Sequence, residues 1–131
     1  MNSQSHILMG ALVFGRTLPR SALAGAVGGF VPDVPMLAIV AALKISGVPD
    51  RVIFGEMYWQ RWWQVANAIG HSFLLWGGVV ALALIMRRRG GLWPLALALS
   101  GAALLHSAID FLVHREDAHM QFWPLSGWKF V

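Results

Sequence analysis

Five side chains that can bind a metal ion or exchange a proton lie within apolar stretches of this chain. They are His6, Asp33, His71, His106 and Asp110. A charged carboxylate at the centre of a bilayer costs roughly 2.5–3.5 kcal/mol even on a lenient insertion scale, so both acids need a partner. Imidazole nitrogen and carboxylate oxygen are ordinary ligands for divalent metals. The five residues therefore indicate a metal site in which the ion neutralises the buried acids.

The chain contains no cysteine, which excludes disulfides, thiolate zinc sites and iron–sulfur clusters. Only histidine nitrogen and carboxylate oxygen remain as strong ligands. We expect zinc first, with manganese or iron as alternatives.

Each candidate ligand also has a simpler structural interpretation. His6 can be a histidine near the membrane surface, and Asp33 can cap the helix that follows it. His71 or His106 can form hydrogen bonds that hold helices together. The metal hypothesis depends on all of them meeting in one place.

One helix face carries three of the polar groups. His106, Asp110 and His114 are spaced i, i+4, i+8, and the same stripe continues through Ala102 and Ala98. Small residues allow close packing of a neighbouring helix, so we expect this stripe to face protein. More distal polar residues are expected at or beyond the membrane surface, solvated by water: His114, Glu116, Asp117 and His119.

The composition is that of a membrane protein. The chain has 131 residues, of which 57% are hydrophobic and 12% charged, with a formal net charge of +4. A single small domain, residues 1–131, cannot bury that much apolar surface in its own core. The basic residues are scattered or flank apolar runs, which fits orientation in a bilayer better than binding to nucleic acid, so we expect no nucleic acid as a partner.

Apolar length and turn signals predict an all-α, polytopic fold with about four membrane segments. Residues 63–86 and 92–113 are each long enough to cross as one helix. They are joined by "RRRGG", a tight turn whose three arginines place it on the cytoplasmic side. A short apolar helix opens the chain, and a turn at residues 16–20 follows it. Residues 21–45 form a crossing interrupted by prolines at residues 32–35.

An aromatic segment precedes the long hairpin. "DRVIFGEMYWQRWWQ" holds Tyr58, Trp59, Trp62 and Trp63 close together. Aromatic residues concentrate at the level of the lipid headgroups, so we expect this segment to lie at the membrane surface.

Helix geometry brings the polar residues to one level. His71 lies 16 residues before Arg87, and His106 lies 14 residues after Leu92. In an antiparallel hairpin both histidines stand roughly 21–24 Å above the arginine turn. Asp33 stands roughly 20 Å above its own turn. We therefore expect the two histidine side chains to approach within reach of one metal ion.

Four stretches resemble, in the same order, the motifs of a known family. "SHILMG" resembles its N-terminal His-x-x-x-Gly, "GGFVPDVPM" its Gly-x-x-x-Pro-Asp, and "GHSFLLW" its His-Ser at the head of a helix. "HSAIDFL" followed by "FWPLSGWKF" resembles its His-x-x-x-Asp helix and the later proline-containing segment. Over most of its length the chain thus resembles the predicted membrane-bound metal-dependent hydrolases, the YdjM-like, LexA-regulated inner-membrane group.

This resemblance implies a hydrolase and a divalent metal held by five residues: His6, Asp33, His71, His106 and Asp110. The chain also departs from the family pattern. Many members carry a second acid where this chain has Pro35, and a further His-Arg-Gly where "NAIGHS" stands.

Three functions remain open on these grounds. The first is a hydrolase of the bacterial inner membrane that cleaves a lipid-borne ester or phosphoester on the extracytoplasmic side, with Asp110 or Asp33 orienting the attacking water. The second is b-type haem electron transfer, with His71 and His106 as axial ligands. The third is a non-catalytic subunit of a larger membrane complex or homo-oligomer, which the departures from the family favour. The lipid bilayer is the expected partner in all three.

Overall fold

The structure, a computed structural model, describes residues 2–16 and 20–130, and every regular element in those ranges is helical. The α-helices are α1 (Ser3–Phe14), α2 (Ser21–Phe30), α3 (Val34–Ile45), α4 (Asp50–Val52), α5 (Arg61–His71), α6 (Phe73–Met86) and α7 (Trp93–Val113). The all-α prediction is confirmed. The predicted turn at residues 16–20 includes residues 17–19, which lie outside the described residues.

Three helical segments are long and apolar enough to cross a membrane. They are Ser21–Ile45, Arg61–Arg89 and Trp93–Val113. A crossing needs about 20 residues, whereas α1 has 12 residues. The class of helical membrane protein is confirmed. The described residues thus provide three segments of crossing length, and α1 is shorter than a crossing requires.

The predicted interruption at residues 32–35 is a single 3₁₀ turn. Val31–Asp33 forms this turn between α2 and α3, and the chain stays helical on both sides. Pro32 and Pro35 lack amide hydrogens and cannot continue regular α-helical bonding, so the helix changes geometry at this point. The turn leaves the side chain of Asp33 buried within the protein.

Residues 63–86 do not form the single helix that was predicted for them. The helix breaks at Ser72, whose ψ of 120° is extended, so that α5 ends at His71 and α6 begins at Phe73. The amide of Phe73 donates to the carbonyl oxygen of Gln121 at 2.8 Å instead of to the helix before it. The Ser72 hydroxyl donates to the carbonyl oxygen of Trp123 at 2.6 Å. Backbone from the C-terminal segment thus replaces the missing helical bonds.

The hairpin turn agrees with the prediction. Arg87–Arg89 forms a short 3₁₀ turn, and Gly90 and Gly91 follow it with φ of 70° and 63°. Residues with a Cβ rarely adopt this left-handed region, which explains the two glycines. The turn returns the chain so that α7 packs beside α6.

Helices α1, α2 and α7 pack closely because glycines line their contacts. A Cβ added to Gly10 would overlap the carbonyl oxygen of Gly25, and one added to Gly25 would overlap that of Gly10. A Cβ added to Gly28 of α2 would overlap the carbonyl oxygen of Leu99 on α7. Backbones in direct contact are typical of helix association in lipid. This packing brings polar groups from all three helices to one level.

The aromatic segment divides between the surface and the core. Trp59 and Trp62 are about half exposed. Tyr58 and Trp63 are buried instead and pack around Ile53, so only part of the segment can face lipid headgroups. Consecutive helical residues point about 100° apart, which sends Trp62 and Trp63 to different faces.

Candidate metal site

Four of the five predicted residues meet at one point. Asp33, His71, His106 and Asp110 each offer a ligand atom, and the four atoms lie within 4.8 Å of one another. All four side chains are buried. Asp33 comes from the turn after α2, His71 from the end of α5, and the other two from α7. This group can hold a metal ion, and the predicted approach of His71 to His106 is confirmed.

Both imidazole rings of the group are oriented by backbone carbonyls. The Nδ1 atom of His71 lies 3.0 Å from the carbonyl oxygen of Asn67. The Nδ1 atom of His106 lies 2.7 Å from the carbonyl oxygen of Gly29. Since a carbonyl oxygen only accepts hydrogen bonds, Nδ1 must carry the hydrogen in both rings. When such a ring is neutral, it presents the lone pair of Nε2 to the centre, which is how metal-binding histidines are usually held.

The distances around the centre suit a four-coordinate ion. His106 Nε2 lies 3.1 Å from Asp110 Oδ2 and 3.4 Å from Asp33 Oδ1. His71 Nε2 lies 3.5 Å from Asp110 Oδ2 and 3.7 Å from Asp33 Oδ1. Metal–ligand bonds of zinc length in a tetrahedron give ligand–ligand distances of roughly 3.3–3.6 Å. Charge-assisted hydrogen bonds would be shorter, at about 2.7–2.9 Å.

The two Nε2 atoms strengthen this assignment because they are buried without a hydrogen-bond partner among the described residues. A buried polar atom without a partner costs free energy, so each one calls for an explanation. Lone pairs that face carboxylate oxygens repel them unless a cation lies between. One divalent cation at the centre satisfies both nitrogens and balances both carboxylates, so the residues fit a metal ion.

Helix α1 holds the outer oxygens of the two carboxylates. The Ser3 hydroxyl donates to Asp33 Oδ2 at 2.5 Å. His6 Nε2 lies 2.9 Å from Asp110 Oδ1, and it donates there because a carboxylate only accepts. In each acid, one carboxylate oxygen faces the centre and the other accepts a hydrogen bond from a side chain of α1. Such supporting contacts fix the orientation of metal-binding groups.

His6, predicted as a metal ligand, lies beside the group of four. Its ring stacks on the ring of His106 with centroids 3.7 Å apart. Its Nε2 is engaged with Asp110, and its Nδ1 is buried without a hydrogen-bond partner in the described part of the chain. The structure brings all five predicted residues together, with four around the centre and His6 behind Asp110.

A cavity of about 210 Å³ lies against the site. It is lined by Asn2, Ser3, Asp33, Met36, Tyr58, His71, Asp110, His114, Asp117 and His119. Asp110 stands near the end of α7, about 25 Å from its start at the arginine turn. The cavity therefore lies at the end of the helices remote from that turn. A small molecule in it would touch both carboxylates.

The C-terminal segment closes one side of this cavity. His119 was expected in water, but it is only 6% exposed and stacks on His71 with ring centroids 4.0 Å apart. Burial, followed by the neighbouring His71, lowers the pKa of His119 to about 3, so it is neutral at pH 7. His114 contacts Asp117 through Nδ1 at 2.8 Å and lines the cavity. The prediction of solvation is wrong for His119 because residues after α7 fold back over α5.

Sequence reasoning passed over Ser3, which holds Asp33. A signal for it exists: Ser3 and His6 are spaced i, i+3 and share one face of α1. The carbonyls of Asn67 and Gly29 that orient the histidines carry no such signal, since every residue has one.

Comparison of the chain with protein-family models, curated proteins and solved structures gives no match.

Proposed function

We propose that this protein is a metal-dependent hydrolase embedded in a membrane, and that it cleaves an ester bond in a lipid. The observation that carries the proposal is the pair of buried Nε2 atoms of His71 and His106, which face two carboxylate oxygens beside a cavity. The resemblance in sequence to predicted membrane-bound hydrolases supports the same class. Zinc is the proposed ion, because ligand separations of 3.1–3.7 Å suit a tetrahedron.

The two carboxylates take different roles in this proposal. Asp110 Oδ2 lies nearer to both histidines than Asp33 Oδ1 does. Catalytic zinc sites commonly use three protein ligands and leave one position for water. We therefore assign His71, His106 and Asp110 as the ligands, with His6 fixing Asp110. Asp33 then lies beside the fourth coordination position, which would be left for water.

Asp33 then acts as the general base. A bound divalent ion lowers the pKa of a water molecule and polarises the carbonyl oxygen of the substrate. Asp33 accepts a proton from the attacking water, whose oxygen bonds to the ester carbon. The bond from that carbon to the alcohol oxygen then breaks, and the protonated Asp33 returns its proton to the departing oxygen. Ser3 keeps the carboxylate of Asp33 turned toward the centre. General bases contribute about 10²–10⁴-fold to rate.

The surroundings of the cavity favour a lipid as substrate. A second groove shares Met36, Tyr58 and Asp117 with the cavity and adds the exposed rings of Phe54 and Trp59. If an acyl chain bound in this groove, its ester bond would lie in the cavity, near the carboxylates of Asp33 and Asp110. Concave apolar surface with a few polar groups at one end is typical of sites for amphiphiles.

The charge of the cavity favours a carboxylic ester over a phosphomonoester. Asp33, Asp110 and Asp117 line the cavity, and no Lys or Arg is among its described lining residues. One divalent ion balances two of the three acids. A doubly charged phosphate would meet the remaining negative charge, whereas an uncharged ester would not.

We further propose that the site faces the extracytoplasmic side of a bacterial inner membrane. The arginine turn lies at the other end of the helices, and short loops rich in arginine stay in the cytoplasm. Single cysteines placed at Gly90 and Ser126 test this orientation with an impermeant thiol reagent in intact cells. Labelling of Ser126→Cys alone is expected, and labelling of Gly90→Cys alone would reverse the orientation.

Metal content and ester hydrolysis together test the function. We expect about one zinc per chain in protein purified without chelator, and hydrolysis of 4-methylumbelliferyl oleate in mixed micelles. Asp33→Asn should keep the metal and lose about 100-fold or more in rate. Asp110→Asn should lose both. Asp50→Asn is the control, because Asp50 is an exposed acid that pairs with Lys44.

Each other function gives a different result in this experiment. Metal without hydrolysis would favour a non-catalytic subunit. A haem absorption spectrum would favour electron transfer, although carboxylate oxygens lie close to both histidines and a porphyrin needs apolar flanks between its axial ligands. Absence of both metal and haem would favour a purely structural role for the polar layer.

A further inference from the structure

A second polar cavity lies away from the metal site and carries the opposite charge. Its volume is about 420 Å³, and it lies between the start of α5 and the C-terminal segment. Its lining includes Arg61, Gln64, Trp123 and Lys129, and no acid is among the described residues that line it. Neither Arg61 nor Lys129 forms an ion pair within residues 2–16 and 20–130. Two cations from distant parts of the chain thus share one cavity whose described lining residues include no acid.

Lys129 is held in place by a buried side chain. Its Nζ atom donates to Gln64 Oε1 at 2.5 Å. Gln64 in turn donates through Nε2 to the carbonyl oxygen of Tyr58 at 2.7 Å. The ammonium group has three donors, so two remain after this bond. Burial lowers the pKa of Lys129 and Asp117 partly opposes this shift, and an anion in the cavity would oppose it further.

The start of α5 adds further donors. Arg61 is the first residue of this helix of 11 residues, and Gln60 before it provides no side-chain cap. The first amide groups of a helix have no partner within the helix, and together with the helix dipole they favour an anion. The guanidinium of Arg61 matches a phosphate through paired donors. The cavity therefore combines an ammonium, a guanidinium and a helix start.

The place of the cavity at the start of a segment of crossing length favours a lipid as the source of the anion. Arg61 is also the first residue of a segment of crossing length, Arg61–Arg89. The rings of Trp62 and Trp128 are about half exposed in the same region of the chain, as is typical at headgroup level. Met120 and Trp123 give the cavity an apolar wall. If the segment that begins at Arg61 crosses the membrane, the cavity lies near the level of the lipid phosphates.

We propose that this cavity binds the phosphate of an anionic phospholipid through Arg61 and Lys129. The site needs neither the metal ion nor catalysis, so it is independent of the proposed function. Occupancy would hold the C-terminal segment against α5. That segment carries His119, which stacks on His71.

Native mass spectrometry of the full chain in detergent, titrated with phosphatidylglycerol, tests the proposal. The double variant Arg61→Gln/Lys129→Gln should bind this lipid about 25-fold more weakly, at about five-fold for each cation near a membrane surface. The control Lys44→Gln/Arg51→Gln removes the same charge from residues that do not line the cavity, and it should stay within about two-fold of the parent. The single variant Arg61→Gln, at an exposed position, should lose about five-fold.

Four results would overturn the proposal. Equal weakening in the control would assign binding to general surface charge, and unchanged binding in the double variant would remove the site. Displacement of phosphatidylglycerol by equimolar inorganic phosphate would make it a site for free anions. The midpoint of thermal unfolding, followed by circular dichroism, checks the fold of each variant. If the double variant is destabilised, Arg61→Gln alone decides, and parent-level binding of phosphatidylglycerol by that variant would overturn the proposal.

Discussion

Helices α6 and α7 are neighbours of similar apolar character, yet they have different surroundings. Seven residues of α7 are buried, and they include His106, Ser107 and Asp110. Only Ala83 is buried in α6. Helix α7 packs against α1, α2 and α6, whereas α6 packs mainly against α7. Polar side chains are therefore placed on the helix that protein surrounds, because in lipid they would have no partner.

The surroundings of the glycines also differ between the contacts of α7 and helix α6. Gly28 of α2 lies where any Cβ would overlap the backbone of Leu99 in α7. Gly77 and Gly78 of α6 have open space at the Cβ position. The same residue type serves close packing around α7 and has no such role in α6. Composition alone does not separate these two cases.

The largest effect is expected at the centre of the α7 face. His106→Ala and Asp110→Asn should each lower metal affinity by on the order of 100-fold or more, because the three proposed protein ligands become two. Elemental analysis after matched purification measures this as metal per chain. Ser46→Ala, at an exposed position outside the site, is the control. Parent-level metal in His106→Ala would mean that the α7 stripe only holds helices together.

A smaller effect is expected where α2 meets α7. Gly28→Ala should lower the free energy of unfolding by about 1–3 kcal/mol, because the added methyl group overlaps the backbone of Leu99. Gly77→Ala in α6 should leave it unchanged or raise it by up to about 1 kcal/mol, since alanine favours a helix more than glycine does. Unfolding by SDS titration in mixed micelles measures both. Equal destabilisation by the two variants would contradict the contrast between α6 and α7.

At its start, α6 is joined by hydrogen bonds to the C-terminal segment. Ser72→Ala removes the cap on the Leu75 amide and the hydrogen bond to the Trp123 carbonyl. A loss of about 1–2 kcal/mol in the free energy of unfolding is expected. Amide hydrogen exchange should also become faster at Phe73. Unchanged exchange there would show that the C-terminal segment docks without Ser72.

The smallest effect on metal binding is expected from His119→Ala. His119 stacks on His71 but contributes no ligand atom to the group of four. Metal per chain should stay within about three-fold of the parent, because the carbonyl of Asn67 still orients His71. A loss as large as that in His106→Ala would make His119 a ligand.

Much of the site follows from spacing along the chain. His71 and His106 were predicted to lie level because the rise per residue of a helix is constant and the arginine turn sets the origin. Asp33 joins them because Pro32 and Pro35 interrupt regular α-helical bonding at that height, where Val31–Asp33 forms a 3₁₀ turn. The break at Ser72 escaped prediction, since the groups that replace its helical bonds belong to Gln121 and Trp123. No feature of residues 63–86 themselves predicts hydrogen bonds to residues as far along the chain as Gln121 and Trp123.

The sequence by itself determined the helical class, the segments of crossing length and the layer of polar residues. These depend on local quantities: apolar length, helical rise and the cost of a charge in lipid. Tertiary structure alone decided which oxygen of each carboxylate faces the centre, because Ser3 and His6 must first arrive on α1 to hold the other one. It also decided that His119 is buried, because the segment after α7 folds back on α5. Contacts between distant residues depend on how the helices pack. That packing results from many residues acting together and cannot be assigned to any one stretch of the sequence.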